Sequence, residues 1–103
     1  MGRAVGELED LTRDYRVAFQ RYLPQRSEAA LTLGYELGRS AVDRGTSPLE
    51  LVDVHHVVLS EVLADVREDR TQEVVAAAAE FLREVLATLD MVQRGIRAED
   101  EGP

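Results

Sequence analysis

Two adjacent histidines are the residues of this sequence best suited to chemistry. His55 and His56 are the only histidines among 103 residues, and imidazole can exchange protons, accept phosphate or bind metal near neutral pH. Neighbouring residues on a helix point about 100° apart, so the pair cannot chelate one metal ion within one chain. Zinc would need cysteine or further histidines, and cysteine is absent. We therefore expect no metal and no cofactor.

The two histidines have different expected surroundings. On a helical wheel His55 lies at the centre of an apolar face with Leu51 and Leu59, which favours a core histidine bonded to a neighbour. Because that site is apolar, His55→Leu is expected to fold with a stability close to that of the parent chain. His56 lies at the edge of the polar face, where a phosphoacceptor could be placed. The lysine and glycine that follow the acceptor in histidine-phosphotransfer domains are absent here.

The other polar residues show no catalytic pattern. Acids alternate with arginines at helical spacings, as Glu36 and Arg39 do, and no two acids share a predicted apolar pocket. No serine has a neighbouring base. Gly34 and Gly38 lie four residues apart inside a predicted helix, unlike the glycines of a phosphate-binding loop. The sequence therefore predicts a binding protein and not an enzyme.

Composition narrows the class of partner. The formal net charge is −8, and the arginines are interspersed with acids, so no basic face for nucleic acid is expected. No apolar run approaches the roughly 20 residues that span a bilayer, and no secretory signal is visible, which indicates a cytoplasmic protein without a membrane contact. With only five aromatic residues and many Leu, Val and Ala, the core is expected to consist of aliphatic stripes.

Local signals that start and stop helices predict a four-helix, all-α domain. Pro24 ends a first helix, Ser27 caps a second and Gly45 closes it. Ser47, followed by Pro48 and by a glutamate three residues after the cap, starts a third. Thr71 is expected to cap a fourth, which Gly95 ends or frays. The predicted helices cover 6–22, 28–44, 48–66 and about 71–95, within a domain of 1–95 that precedes a solvated tail, 96–103.

Small and apolar residues on outer helix faces predict a second buried surface. Val57 and Ala64 lie on the polar face of the third helix, and the start of the fourth is a narrow run of four alanines. A bundle this small often gains stability by dimerising. The two helical glycines are expected either to pack in the core or to meet a second subunit. The predicted residues of a homodimer interface are Gly34, Gly38, Ala76, Ala77 and Met91.

Three stretches resemble the N-terminal domain family of the stress-response phosphatase RsbU. They are 22–31 with 34–39, 45–55 with its proline-led helix start and histidine, and 81–86 with 91–95. The resemblance covers roughly residues 12–98. It implies a four-helix, KaiA/RsbU-like bundle, a fold shared with the C-terminal domain of the clock protein KaiA, that forms a homodimer.

The resemblance also implies a regulatory function. In RsbU the dimer receives an RsbT-like switch kinase and stimulates a separate, metal-dependent phosphatase domain, which acts on an anti-anti-sigma factor and frees an alternative sigma factor. The implied docking residues are Thr32, Tyr35 and Arg83. Thr32 and Arg83 replace a larger aromatic and an aliphatic residue, so the partner's identity stays open. A histidine-phosphotransfer domain and a small-molecule sensor remain alternatives.

Overall fold

In a computed structural model of the chain, residues 5–101 are described, and this part folds as a four-helix bundle. Its helices are α1 (Val5–Tyr22), α2 (Glu28–Asp43), α3 (Pro48–Asp65) and α4 (Thr71–Glu101), with a 3-10 turn at Glu68–Arg70 before α4. No β-strand occurs between residues 5 and 101. The predicted all-α architecture is confirmed, and each helix begins within one residue of its predicted start.

The predicted caps of α2 and α3 are present. Ser27 Oγ accepts a hydrogen bond from the Ala30 amide at 3.1 Å. At the start of α3, Ser47 Oγ accepts from the Glu50 amide at 3.1 Å, and the Glu50 carboxylate accepts from the Ser47 amide at 3.0 Å. Gly45 has a φ of +70° after the end of α2, a conformation that glycine adopts without steric cost. These contacts fix where both helices begin and where α2 ends.

Both ends of α4 differ from the sequence expectation. Thr71 has helical backbone angles and is no cap, because the 3-10 turn runs directly into α4. Gly95 does not end α4, which continues to Glu101, so the predicted solvated tail is helical up to that residue. One exposed glycine costs about 1 kcal/mol relative to alanine, which is too little to stop a long helix that is already propagating. Residues 102 and 103 lie outside the described part.

The core is more aromatic than the composition suggests. Phe81 of α4 is fully buried, and three rings of α1 surround it with centroid distances of 5.3 Å (Tyr15), 5.7 Å (Phe19) and 5.5 Å (Tyr22). Four of the five aromatic residues thus lie in one cluster, and Leu, Val and Ala from all four helices complete the core. The aliphatic core expected from composition is therefore wrong at its centre.

Helices α2 and α4 share the most extensive helix–helix contact of the described chain. The contact is close at Gly38, where an added Cβ atom would lie 2.7 Å from both the Val85 carbonyl oxygen and Thr88 Cβ. At Gly34 it would lie 3.3 Å from the side chains of Phe81 and Glu84. Glycine at these two positions lets α2 approach α4 closely, and the two helices border a groove on the outside of the bundle.

Candidate partner-binding surface

The groove between α2 and α4 contains two of the three predicted docking residues. Thr32 and Tyr35 line an open cleft of about 380 Å³ together with Glu28, Leu31 and Glu84. Thr32 is exposed and its hydroxyl donates to the Glu28 carbonyl at 3.2 Å, as a threonine one helical turn away can. The cleft is shallow and partly apolar, a shape that suits the side chains of another protein.

Tyr35 is held in place by a residue one turn further along α2. Arg39 Nη1 donates to the Tyr35 hydroxyl at 3.2 Å, and the guanidinium carbon lies 5.8 Å from the ring centroid. This arrangement combines a hydrogen bond with a cation–π contact. Tyr35 is therefore an ordered, half-buried aromatic side chain at the rim of the cleft, with a positive charge beside it.

The third predicted docking residue, Arg83, is exposed on α4 directly before Glu84, which lines the cleft. Arg83 forms no ion pair with any residue in the described part of the chain. Its guanidinium can therefore pair with a carboxylate of a partner without first breaking an ion pair within the chain. Thr32, Tyr35 and Arg83 define what we call the α2/α4 surface.

The predicted dimer-interface residues fall into two groups. Gly34, Gly38 and Ala77 are buried within the chain, the glycines against α4 and Ala77 in the core. A residue that packs inside one chain offers no surface to a second copy, so the prediction of an interface role does not fit these three residues. Ala76 and Met91 are exposed on α4, Met91 by 59%, and remain candidates for contact with another molecule.

A family comparison agrees with this architecture. The family model for the N-terminal domain of the phosphoserine phosphatase RsbU matches residues 13–92. The chain belongs to the RsbU N-terminal domain family. The match covers α2, α3 and the part of α4 that forms the α2/α4 surface, and it identifies a regulatory domain of an RsbU-type phosphatase. No curated protein and no solved structure matches the chain significantly.

The histidines of this RsbU-type domain lie on α3, which makes no contact with α2 in the described structure. His55 is half-buried, and its Nδ1 lies 2.8 Å from the hydroxyl of Tyr15, a residue with no exposed surface. Burial lowers the pKa of His55, and the neighbouring His56 lowers it further, while burial raises the pKa of Tyr15. His55 is thus a core histidine with a specific partner, and the expectation that His55→Leu is nearly neutral must be revised.

His56 is exposed, as the helical wheel predicts. Among residues 5–101 no group of three or more His, Cys, Asp or Glu side chains is arranged to hold a metal ion.

Within the same part of the chain, no helix combines the length and the apolar character needed to cross a membrane. The clefts in the described structure are open to solvent at the surface of the bundle.

The sequence analysis missed the polar contacts between helices of this family member, two of which involve tyrosines of the core. One is the Tyr15–His55 pair, which joins residues 40 positions apart. The other is formed by the Glu80 carboxylate, which accepts hydrogen bonds from the Tyr22 hydroxyl at 2.8 Å and from Arg26 Nε at 3.0 Å. The hydrogen bond from Arg26 holds the pKa of Glu80 below its usual value. Both depend on helix pairing that the sequence does not specify. The Arg39–Tyr35 contact, by contrast, could have been read from its four-residue spacing.

Proposed function

We propose that the domain is a homodimeric regulatory module that receives a protein partner on its α2/α4 surface. In this proposal the partner is an RsbT-like switch protein, and binding regulates a serine phosphatase in a bacterial, cytoplasmic partner-switching pathway of the stress response that controls an alternative sigma factor. The observation that carries the proposal is the placement of Thr32 and Tyr35 in one open cleft, together with exposed Arg83, which directly precedes the cleft residue Glu84 on α4.

The chemistry of the α2/α4 surface favours protein recognition. An ordered tyrosine and an exposed arginine are the residue types that contribute most to binding at protein interfaces. Glu28 and Glu84 provide negative charge in the cleft, while positive charge comes from Arg39, which lies over the Tyr35 ring, and from Arg83, which precedes Glu84 on α4. A partner with an acidic residue opposite Arg83 and an apolar residue opposite Leu31 and Tyr35 would fit this pattern.

Regulation would operate through a shift between two states of the phosphatase. A partner that binds one arrangement of the dimer more tightly than another changes their populations by its differential affinity. In this proposal α2 and α4 respond together, because their contact is extensive and close, and α4 carries the effect of partner binding away from the docking surface. The long α4, with 31 residues, extends well beyond the last predicted docking residue.

The proposal is tested by calorimetry with an RsbT-type kinase encoded in the same genome as the domain. Arg83→Glu is expected to reduce the affinity at least tenfold, since it removes one cation and adds a like charge opposite the partner's acid. Arg94→Glu is a control for the change of charge, because Arg94 is an exposed arginine on the same helix about three turns away; unlike Arg83 it forms an ion pair, with Asp90. Equal affinity for the parent and the Arg83 variant, with unchanged helicity, would refute the proposed docking surface.

A further inference from the structure

The hydrogen bond between Tyr15 and His55 joins a buried hydroxyl to a side chain that solvent can reach. The Tyr15 hydroxyl lies 2.8 Å from His55 Nδ1, and Tyr15 has no exposed surface, whereas His55 is half-buried. In the described part of the chain, His55 Nδ1 is the one hydrogen-bond partner of that hydroxyl. Imidazole is the side chain whose charge changes near neutral pH. A proton from solvent can therefore reach the group on which a core hydroxyl depends.

The direction of this hydrogen bond follows from the burial of Tyr15. When His55 Nδ1 accepts, the hydroxyl proton is paired. If Nδ1 donated instead, that proton would lie in the core without an acceptor, and a buried unpaired donor is the costlier arrangement. Neutral His55 with its proton on Nε2 is thus the form that fits the folded core. Uptake of a proton at Nδ1 removes the acceptor of the Tyr15 hydroxyl.

In the part of the chain that the structure describes, the His55 cation has no counter-charge. The residues three and four positions away on α3 are all apolar, namely Leu51, Val52, Val58 and Leu59. From α1 it faces Tyr15, and the next residue, Arg16, is already held by Glu61 of α3 through hydrogen bonds of 2.7 and 2.9 Å. Helix α4 gives His55 no hydrogen bond or ion pair in the described structure. Burial and the neighbouring His56 both lower the pKa of His55, as this environment requires.

Packing connects the pair to the proposed docking surface. The Tyr15 ring stands edge-on to Phe81, with centroids 5.3 Å apart and an interplanar angle of 89°. The Phe81 ring in turn lies against Gly34 of α2, where an added Cβ would be 3.3 Å from Phe81 Cε1. Gly34 directly precedes Tyr35, which lines the cleft. A chain of packed side chains thus leads from His55 to α2, and tightly packed interiors transmit the displacement of one member to its neighbours.

We propose that His55 is a proton-operated switch for the α2/α4 surface. Neutral His55 holds the Tyr15 hydroxyl and fixes the Tyr15 ring against Phe81. When Nδ1 takes up a proton, the imidazolium turns to solvent, the hydroxyl is left unpaired, and the two rings shift beneath Tyr35. The paired and unpaired hydroxyl supply the two discrete arrangements that coupling between distant sites needs.

The switch acts in both directions. The partner and the neutral imidazole favour the same arrangement, so acid weakens docking, and docking in turn opposes the uptake of a proton by His55. This inference rests on the α2/α4 docking of the proposed function and adds its regulation by pH.

The first test uses the domain alone. In an NMR titration between about pH 8 and pH 5, the amide signals of Gly34 and Tyr35 are expected to shift with the same midpoint as the His55 imidazole. His55→Asn should abolish these shifts, because its side-chain oxygen can accept from the hydroxyl but takes up no proton in this range. His56→Asn is the matched control, since His56 is the exposed neighbour, and should keep them. Gly34 and Tyr35 signals that ignore the His55 titration would overturn the switch alone.

A second variant covers the case in which His55→Asn does not fold. Tyr15→Phe keeps the ring against Phe81 but removes the hydroxyl, so His55 should still titrate while the shifts of Gly34 disappear. Persistence of these shifts in Tyr15→Phe would overturn the path through the hydroxyl.

The second test measures docking by calorimetry with the RsbT-type kinase, in buffers of different ionisation enthalpy, which counts the protons released on binding. The parent domain should release more protons than His55→Asn and lose about fivefold more affinity between about pH 7.5 and pH 5.5. Titrating groups of the kinase are common to both measurements, so the difference belongs to His55. The same pH dependence in the parent and in His55→Asn would overturn the switch and leave the docking surface standing. No binding at any pH would overturn both.

Discussion

The hydrogen bond between Tyr15 and His55 allows a quantitative test of the core. Tyr15 has no exposed surface, and its hydroxyl has His55 Nδ1 as a partner at 2.8 Å. His55→Leu leaves that hydroxyl buried without a partner, which costs about 1–3 kcal/mol. A leucine at this half-buried position recovers up to about 1 kcal/mol through apolar burial. We therefore expect a net loss of about 1–2 kcal/mol in the free energy of unfolding.

A double-mutant cycle separates this hydrogen bond from packing. Tyr15→Phe removes the hydroxyl but keeps the ring against Phe81, and the half-buried His55 can turn to water, so a loss of about 1 kcal/mol or less is expected. The double variant Tyr15→Phe/His55→Leu has no unpaired polar group at the site and should be more stable than His55→Leu alone. The coupling free energy should be about 1 kcal/mol.

The assay for the cycle is urea denaturation followed by circular dichroism at one fixed chain concentration, because the proposed dimerisation would make the apparent stability depend on concentration. For a domain of this size, 1 kcal/mol corresponds to a shift in melting temperature of about 4–8 °C. The reasoning is refuted if the two substitutions are additive within about 0.3 kcal/mol, which is the error of such cycles. A double variant less stable than His55→Leu would also refute the reasoning.

Three further substitutions and one change of pH test other parts of the structure. In urea titrations, Gly38→Ala should lower the free energy of unfolding by about 2 kcal/mol, because the new Cβ would lie 2.7 Å from a backbone oxygen. Gly95→Ala has open space around it and should raise the free energy of unfolding by up to about 1 kcal/mol. Ser47→Ala removes the cap of α3 and should lower the free energy of unfolding by about 1 kcal/mol, which thermal denaturation measures as a lower melting temperature. An unchanged melting temperature would contradict the capping box. Stability should fall as the pH is lowered through about 6.5, because the unfolded chain, with a histidine pKa near 6.5, binds the His55 proton more readily than the folded chain does. In His55→Leu the slope around this pH should be smaller, and an identical slope would argue against a lowered His55 pKa.

A second pH window belongs to the surface carboxylates. Hydrogen bonds from Arg16 and Arg26 lower the pKa values of Glu61 and Glu80, respectively. Their contributions to stability are present above the unfolded pKa near 4.5 and are lost as the pH falls through the folded values. Both groups lie at the surface, so solvent limits the effect. This window begins near pH 4.5, whereas that of His55 begins near pH 6.5, and a pH series on His55→Leu separates the two contributions.

Helix boundaries were the most predictable part of this fold, because they depend on local chemistry. Ser27, Ser47 and Gly45 act over three or four residues, and the structure places each where its type predicts. The end of α4 was not predictable from Gly95, since the cost of one glycine is small compared with the stability of a long helix. Local signals therefore fix where helices start better than where a long one ends.

The roles of individual faces were less predictable, because they depend on how the helices pair. Gly34 and Gly38 could serve the core or an interface as judged by sequence, and only the position of α4 shows that they serve the core. The partner of His55 lies on α1, so its hydrogen bond depends on the α1–α3 pairing.

The central claim is that the α2/α4 surface receives a protein partner. The most direct test is an NMR titration of the isotope-labelled domain with an unlabelled RsbT-type kinase, in which backbone shifts locate the contact. We predict that the signals of Thr32, Tyr35 and Arg83 move or broaden, while those of Leu49 and Val52 on α3 stay unchanged. Shifts confined to α3, or no shift at saturating kinase, would contradict the claim.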